Sequence, residues 1–178
     1  MTKQIQDIEN LLNEFSDFAR MPKPVLKKID LNHIVQRSLK LHELSEKDIR
    51  FVLSKTKTSH NVKGDEEQLN RVFINLIKNS IESINEKKTK NVDFKGKINM
   101  DIKEDNDYIY FTIIDNGVGF DQIDKGKMLT PYFTTKKKGT GLGLAIVTKV
   151  ISDHNSTILF NSIKDGAKVE IILPKYYD

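Results

Sequence analysis

The sequence predicts an α+β fold, a two-layer α/β sandwich in which helices cover one face of a mixed sheet. Three observations predict it. Stretches with apolar residues at alternating spacings of three and four, the period of a helix, are interleaved with shorter alternating stretches, the period of a strand. Their order is helix, strand, helix, two strands, a long irregular stretch, helix, two strands, which calls for a helical layer packed on a sheet. The chain has 178 residues, 38% of them hydrophobic and 30% charged, enough for one domain with its own core and a small appendage.

The elements follow in order. Residues 4–20 place Ile5, Ile8, Leu12, Phe15 and Ala19 on one helical seam, of the kind buried in a bundle or coiled coil. Pro22 and Pro24 stop that helix, because proline lacks a donor and disfavours helix in the residue before it. One such helix cannot bury its seam alone, so it reads as a piece of a helical assembly or a dimer element. Residues 31–44 form an amphipathic helix with Asp30 as its N-cap, and 49–53 a short strand. The clearest helix is 65–84, with Leu69, Val72, Phe73, Leu76, Ile77, Ile81 and Ile84 on one face. The polar stretch 85–97 has no periodicity and reads as a loop. Strands at 97–103 and 108–114 flank a Glu104-Asp105-Asn106-Asp107 turn. Residues 115–140 are irregular, 142–152 helical, and 157–163 and 168–173 are strands joined through Lys164-Asp165-Gly166. A long loop inside a compact domain points to function or disorder, and the glycine clusters at both its ends favour function.

Composition excludes several classes. No apolar run approaches the roughly 20 residues of a membrane span. The first residues are polar and mixed in charge, unlike a secretory signal. There is no cysteine, so there are no disulfides and no thiolate-held metals. A net charge of +4 favours anionic ligands without singling out nucleic acid.

Four stretches carry chemistry. On the 65–84 helix, Asn75, Asn79 and Glu82 fall on one stripe away from the apolar face. Two asparagines one turn apart are poor helix formers. They are either a solvated face or amide oxygens lining a cleft, where a hard cation such as magnesium takes a few protein oxygens and completes its shell with phosphate and water. Next, Ile113-Ile114-Asp115-Asn116-Gly117-Val118-Gly119-Phe120 brings a carboxylate to a strand end, followed by two permissive glycines. This is a simple Asp-Asn-Gly turn, or a carboxylate placed to accept from an exocyclic amine such as that of adenine. Third, Lys136-Lys137-Lys138-Gly139-Thr140-Gly141-Leu142-Gly143-Leu144 runs into a helix. Glycine-rich backbone ahead of a helix N-terminus binds anions, and a flexible linker is the bland alternative. It is neither the dinucleotide fingerprint, lacking a third glycine and a preceding strand, nor a Gly-x-x-x-x-Gly-Lys-Ser/Thr loop. Between these lies Pro131-Tyr132-Phe133-Thr134-Thr135-Lys136, whose aromatics either pack in the core or close over a ligand or partner.

In order and spacing these four stretches resemble the N, G1, F and G2 boxes of bacterial two-component sensor histidine kinases, members of the GHKL ATP-binding superfamily. The resemblance covers roughly residues 30–174 and implies the α/β sandwich with ATP and Mg2+ as cofactors. It makes Asn79 the Mg ligand, with Asn75 beside it as the second catalytic amide. Asp115 reads adenine, and Gly117 and Gly119 shape its pocket. Phe133, Thr134, Thr135 and Lys136 belong to the ATP lid, while Gly139, Thr140, Gly141, Leu142 and Gly143 cradle phosphate. Gly166 with Ala167 resembles a late glycine turn before the last strand.

Residues 14–22, Glu-Phe-Ser-Asp-Phe-Ala-Arg-Met-Pro, resemble the end of the second dimerisation helix in nitrogen-regulation kinases of the NtrY/NtrB kind. The implied organisation is a remnant of that helix at 1–24 and a catalytic ATP-binding domain at 30–178, the chain being a fragment that begins inside the dimerisation domain. The implied partners are ATP, the protein's own phosphoacceptor-histidine dimerisation domain and a response regulator of the NtrC/NtrX type, with no nucleic acid. The implied setting is a cytoplasmic domain of a membrane-anchored homodimer at the inner membrane.

The superfamily also holds gyrase-, Hsp90- and MutL-type ATPases, which carry a glutamate base four residues before the Mg-binding asparagine. Here that position is Asn75, and an amide takes no proton at neutral pH. Asn75 therefore favours a kinase, whose imidazole nucleophile arrives from the dimerisation domain, over a GHKL-type ATPase or nucleotide-gated interaction module. None of His33, His42, His60 and His154 sits in a His-Glu-x-x-Asn-Pro acceptor motif, although His42 is followed by Glu43. Three departures from the family stand out. His154-Asn155-Ser156 replaces the usual His-Gly-Gly, and Ser80 replaces the usual alanine as a small change on the core side. Glu82-Ser83 replaces phosphate-contacting side chains, leaving Lys78 or Lys136 to Lys138 for that role.

Overall fold

The computed structural model describes residues 20–54, 58–120, 130 and 141–177, together with Ile5, Glu9, Leu12, Phe15 and Ser16. These five are helical, and Ile5, Leu12 and Phe15 of the expected seam stand exposed.

From residue 20 on, the described residues form β1 (Lys27–Asp30), α1 (Leu31–Glu43), β2 (Ile49–Leu53), β3 (Asn61–Gly64), α2 (Glu66–Lys90), β4 (Gly96–Glu104), β5 (Tyr108–Asp115), α3 (Gly143–Asp153), β6 (Thr157–Ile163) and β7 (Gly166–Pro174). The main sheet has the order β2-β4-β5-β7-β6. Its β2–β4 pair is parallel and the others antiparallel, so the sheet is mixed, as expected.

Period-two alternation decides which face is covered. In β4, Ile98, Met100 and Ile102 are buried, as are Ile109, Phe111 and Ile113 in β5 and Val169, Ile171 and Leu173 in β7. The opposite face carries polar ladders, including Lys168–Glu170 at 2.8 Å and Lys103–Asp101 at 3.1 Å. The helices lie on the apolar face. There α2 buries Leu69, Val72, Phe73, Leu76, Ile77, Ile81 and Ile84, with Phe73 edge-on to Phe111 of β5 at 4.7 Å, a favoured aromatic geometry.

Two expectations need correction. The stretch 85–97 is not a loop, because α2 continues to Lys90 and β4 starts at Gly96. The last turns of α2 face solvent over most of their surface, so they need no apolar stripe, and Lys87, Lys88 and Lys90 there complement the negative end of the helix dipole. Strands β1 and β3, which no period in the sequence marks, pair antiparallel as a separate two-stranded sheet. Four residues each, Lys-Lys-Ile-Asp and Asn-Val-Lys-Gly, are too short to show an alternation. The strand 168–173 is likewise longer, starting at Gly166.

The start of α2 is held by a hub. Asp65 Oδ1 accepts from the backbone N–H groups of Glu67 and Gln68, each at 3.1 Å, and Oδ2 accepts from that of Val25 at 2.9 Å. Its own N–H donates to His154 Nε2 at 2.9 Å. Burial alone would raise the carboxyl's pKa, but the N–H groups of Val25, Gln68 and Glu67 outweigh it and hold the group below the ordinary 3.8. Asp65→Ala is expected to cost about 1–2 kcal/mol at pH 7, the range for a lost N-cap, read as a lower urea midpoint. Because the folded-state value is depressed, this stabilisation is present above the ordinary aspartate value and disappears as pH falls through the lowered one. The two proteins' midpoints should therefore converge in acid, and a gap unchanged there would contradict the hub.

Candidate functional site

The helix α2 places Asn75 and Asn79 on one stripe, half-buried, between its apolar face and solvent. Asn75 Nδ2 donates to the Arg71 carbonyl at 2.9 Å, so its amide oxygen points away from the helix. That oxygen lies against Gly143, where an added Cβ would stand 3.1 Å from it. The amide stripe and the glycine segment, 68 residues apart in sequence, thus meet across α2 and α3. Leu142, the N-cap of α3, has no side-chain acceptor to offer, and the first turn holds no acidic residue. The N-terminus of α2, by contrast, is capped by Asp65 and followed by Glu66 and Glu67. No acidic side chain competes at the N-terminus of α3, where the helix dipole favours an anion.

Asp115 ends β5 and is 5% exposed. Its Oδ1 accepts from the Gly117 N–H at 2.9 Å. The Ser83 hydroxyl also donates to it over a long 3.5 Å, and the Ser80 hydroxyl and the Ala167 N–H lie where they favour the charged carboxylate. Burial pushes the carboxyl above the ordinary 3.8, against the opposing pull of Gly117, Ser80, Ala167 and Ser83.

Glycine is required where this turn is squeezed. A Cβ on Gly117 would stand 2.6 Å from the Ser83 carbonyl carbon and 2.8 Å from Ile84 N, and one on Gly166 within bonding distance of the Asp115 carbonyl oxygen. Gly166 has φ +126° and Gly119 φ +79°, the region that favours glycine. The turn is thus wedged between α2 and the β6–β7 hairpin. Beyond it, Phe120 packs edge-on to Phe160 at 5.8 Å, and its carbonyl accepts from the Ser162 hydroxyl.

The structure sets Asn75 of α2 against Gly143, with Asn79 one turn along the same helix, and sets Gly117 against Ser83 and Ile84 of α2 and Gly119 against Gly166. Lys78 is exposed on the flank of α2 toward α1, where its charge bears on His42. Phe133, Thr134, Thr135, Lys136, Gly139 and Thr140 lie outside the described residues. Ser80 and Ser83 were visible in the sequence only as departures. Their spacing of three, aligned below Asn79, was the available signal.

The histidines do other work. His154 is buried, its Nδ1 donating to the Val150 carbonyl at 2.7 Å while Nε2 accepts from Asp65 N–H, which ties the far end of α3 to the start of α2. Asn155, where the family has glycine, takes φ +52°, within the tolerance of asparagine. His42 is lowered from 6.5 by burial first and then by Lys78, against Glu46. Its Nε2 is buried without a hydrogen bond, which does not suit a group offered to an incoming phosphoryl.

Against known proteins, residues 64–177 match the family described as histidine kinase-, DNA gyrase B- and HSP90-like ATPase. The chain is 34% identical over 164 residues to nitrogen regulation protein NtrY of Azorhizobium caulinodans, a match covering 92% of this chain and 21% of that protein. It is 33% identical over 170 residues to an NtrY-like sensor histidine kinase of Rickettsia felis, covering 95% of this chain and 27% of that one. The chain thus spans a fifth to a quarter of these curated relatives. Among solved structures, the catalytic domain of histidine kinase ThkA, in a nucleotide-free form, superposes with a TM-score of 0.73 at 27% identity over 84% of this chain and 97% of that chain.

Proposed function

Because the chain belongs to the family of histidine kinase-, DNA gyrase B- and HSP90-like ATPases and carries the ATP-binding catalytic domain of a sensor histidine kinase, we propose that it transfers the γ-phosphoryl of ATP to a histidine on a separate dimerisation domain. The observation that carries this reading is Asn75. It faces the N-terminus of α3, where a water-activating base would have to stand, and it presents an amide with its nitrogen already committed to Arg71. Glu82 lies seven residues on, about 10 Å further along the axis, so it does not replace that base. The nucleophile is an incoming imidazole, which needs no deprotonation by a carboxylate.

In this reading Asp115 accepts the adenine amine, Gly117 and Gly119 let the base approach, and Gly141, Leu142 and Gly143 present the N-terminus of α3 to the phosphates. The chain's task is positioning and charge neutralisation, which suits a phosphoryl transfer with a loose transition state. The imidazole nitrogen bonds to the γ-phosphorus as the bond to the bridging oxygen breaks, and ADP leaves.

The donor set fits Mg2+. Asn79 offers a neutral amide oxygen beside Asn75, and among the described residues no group of three or more His, Asp or Glu side chains could hold a metal alone. A hard cation held by one or two protein oxygens and by phosphate matches that. When bound, Mg2+ supplies positive charge to the phosphates. The NtrY likeness supports a parent protein that is a membrane-anchored homodimer with this domain in the cytoplasm. It also supports residues 1–24 as the end of a dimerisation helix, relay to a response regulator of the NtrC/NtrX type, and no nucleic-acid partner. Among the described residues no helix is long and apolar enough to cross a membrane.

The test is the Mg dependence of nucleotide binding together with phosphate release. The chain should bind AMPPNP more tightly with Mg2+ than with a chelator, and Asn79→Ala should remove that gain, about tenfold for one lost charge-assisted contact. It should release no phosphate from ATP at steady state. Steady release that disappears in Asn75→Ala would shift the reading to a GHKL-type ATPase.

A further inference from the structure

The adenine turn is fastened at two points, and one of them is a lysine that neither the sequence motifs nor the family boxes include. On the sheet side Asn116 does the work. Its side-chain oxygen accepts from Lys97 N–H at 2.8 Å, its amide nitrogen donates to the Lys95 carbonyl at 3.0 Å, and its backbone N–H donates to the Lys97 carbonyl. On the helix side Lys87 reaches across from the eighth position after Asn79. Its Nζ donates to the Asn116 carbonyl at 2.9 Å and to the Gly117 carbonyl at 3.1 Å, while lying 4.8 Å from the centre of the Phe94 ring. Two carbonyls that converge beside a buried carboxylate form a negative spot, and an ammonium with an aromatic face behind it is the group that balances such a spot.

We propose that Lys87 is a positioning residue for base recognition: by holding the Asn116 and Gly117 carbonyls it fixes where Asp115 presents its acceptor, and so sets the preference for adenine over guanine. Ser80, Ser83 and Lys87 recur every three to four residues, so they form a second stripe on α2 beside the Asn75–Asn79 stripe. Ser83 adds a backbone bond, its carbonyl accepting from Val118 N–H at 3.3 Å. One rigid helix therefore carries both the groups assigned to the phosphate end and those that anchor the base end, and fixes the span between them. A guanine presents a carbonyl where adenine presents its amine. Only a firmly placed carboxylate repels it while accepting from adenine, and a turn free to shift loses that contrast. This assignment rests on the ATP-site reading above.

The experiment compares calorimetric binding of AMPPNP and its guanosine counterpart GMPPNP to the unsubstituted chain, Lys87→Met and Lys87→Arg. Lys87→Met should lower AMPPNP affinity about tenfold, the scale of losing a charged donor, and lower the adenine-to-guanine affinity ratio by a similar factor. Lys87→Arg, which keeps two donors and the stacking face, should restore most of both. A residue that merely supports the fold would lower the melting temperature without moving that ratio. An unchanged ratio in Lys87→Met, or Lys87→Arg failing as badly as Lys87→Met, overturns the proposal. Should Lys87→Met not fold, Lys87→Gln carries the same test: a lowered ratio supports the assignment and an unchanged one overturns it. Failure of the unsubstituted chain to bind AMPPNP overturns the ATP-site reading and this assignment with it, whereas normal binding with unchanged discrimination overturns this assignment alone.

Discussion

Asp115→Asn is expected to weaken AMPPNP binding about 100-fold at pH 7, the scale of losing a buried hydrogen bond to a charged group. The carboxylate accepts from the Gly117 N–H and, at longer range, the Ser83 hydroxyl, and the Ser80 hydroxyl and Ala167 N–H also favour its charged form. An asparagine in its place has one oxygen for these donors and turns its amide nitrogen toward the rest or toward the adenine amine, and either way a donor faces a donor. Stability should move the other way or not at all. Burial raises the folded-state pKa of Asp115 above its ordinary value, so its ionisation opposes folding. The stabilising protonated form is complete only below the ordinary value and is lost as pH rises through the raised one. Removing the charge at neutral pH therefore leaves the melting temperature unchanged or higher. In the unsubstituted chain, AMPPNP affinity should fall as pH drops through that raised value, above the ordinary 3.8, and Asp115→Asn should show no such step. Equal affinity of the two proteins at pH 7 would remove Asp115 from the base site.

Gly166→Ala should cost the fold about 3 kcal/mol or more, the scale of a bulky group forced into backbone at a strained φ. At φ +126° an L side chain is disfavoured whatever the space. The added carbon would also meet the Asp115 carbonyl oxygen and stand 2.9 Å from Asn116 Cα. These are backbone atoms of the turn, not the far end of a flexible side chain, so either β7 leaves β5 or the Asp115–Gly119 turn moves. Urea titration should show the loss, and AMPPNP affinity should fall with it. Lys164→Ala, in the same hairpin turn but exposed, should stay within about 0.5 kcal/mol. Matching midpoints for the two variants would contradict the wedge.

The sequence made most of this legible where period and side-chain chemistry act together. Leu69 to Ile84 repeat at helical spacing because that face lies on β4 and β5, and β4, β5 and β7 alternate because only one side of the sheet is covered. Asp30 announced its cap because the helix begins immediately after it, and its Oδ1 does accept from Asn32 N–H at 3.0 Å. Illegible parts had no period to show. The end of α2 from Asn85 to Lys90 is polar nearly all round, so an exposed helix and a loop look alike, and misreading it hid Lys87. Strands β1 and β3 depend on each other and on a bridge from Val62 to Lys175, partners that no local window contains. Asp115 and the glycines stand out in the sequence because a carboxylate at a strand end and a squeezed turn require those residue types. Ser80 and Ser83 do not, because a serine on a helix is ordinary until the strand end it touches is known. The register that sets Asp115 opposite Ala167 explains why the glycine at 166, fifty residues on from Asn116, packs against the Asp115–Gly119 turn.

In the proposed function this chain holds the nucleotide half of a two-part active site, and the attacking imidazole comes from a separate domain. Incubating the chain with γ-labelled ATP and Mg2+, with and without a separately produced NtrY-type dimerisation domain carrying its acceptor histidine, tests this most directly. The account predicts acid-labile, base-stable label on the added domain only, none on this chain, and none on either when Asn79→Ala replaces the unsubstituted chain. Label on this chain alone, at His42 or any of its other three histidines, would contradict it.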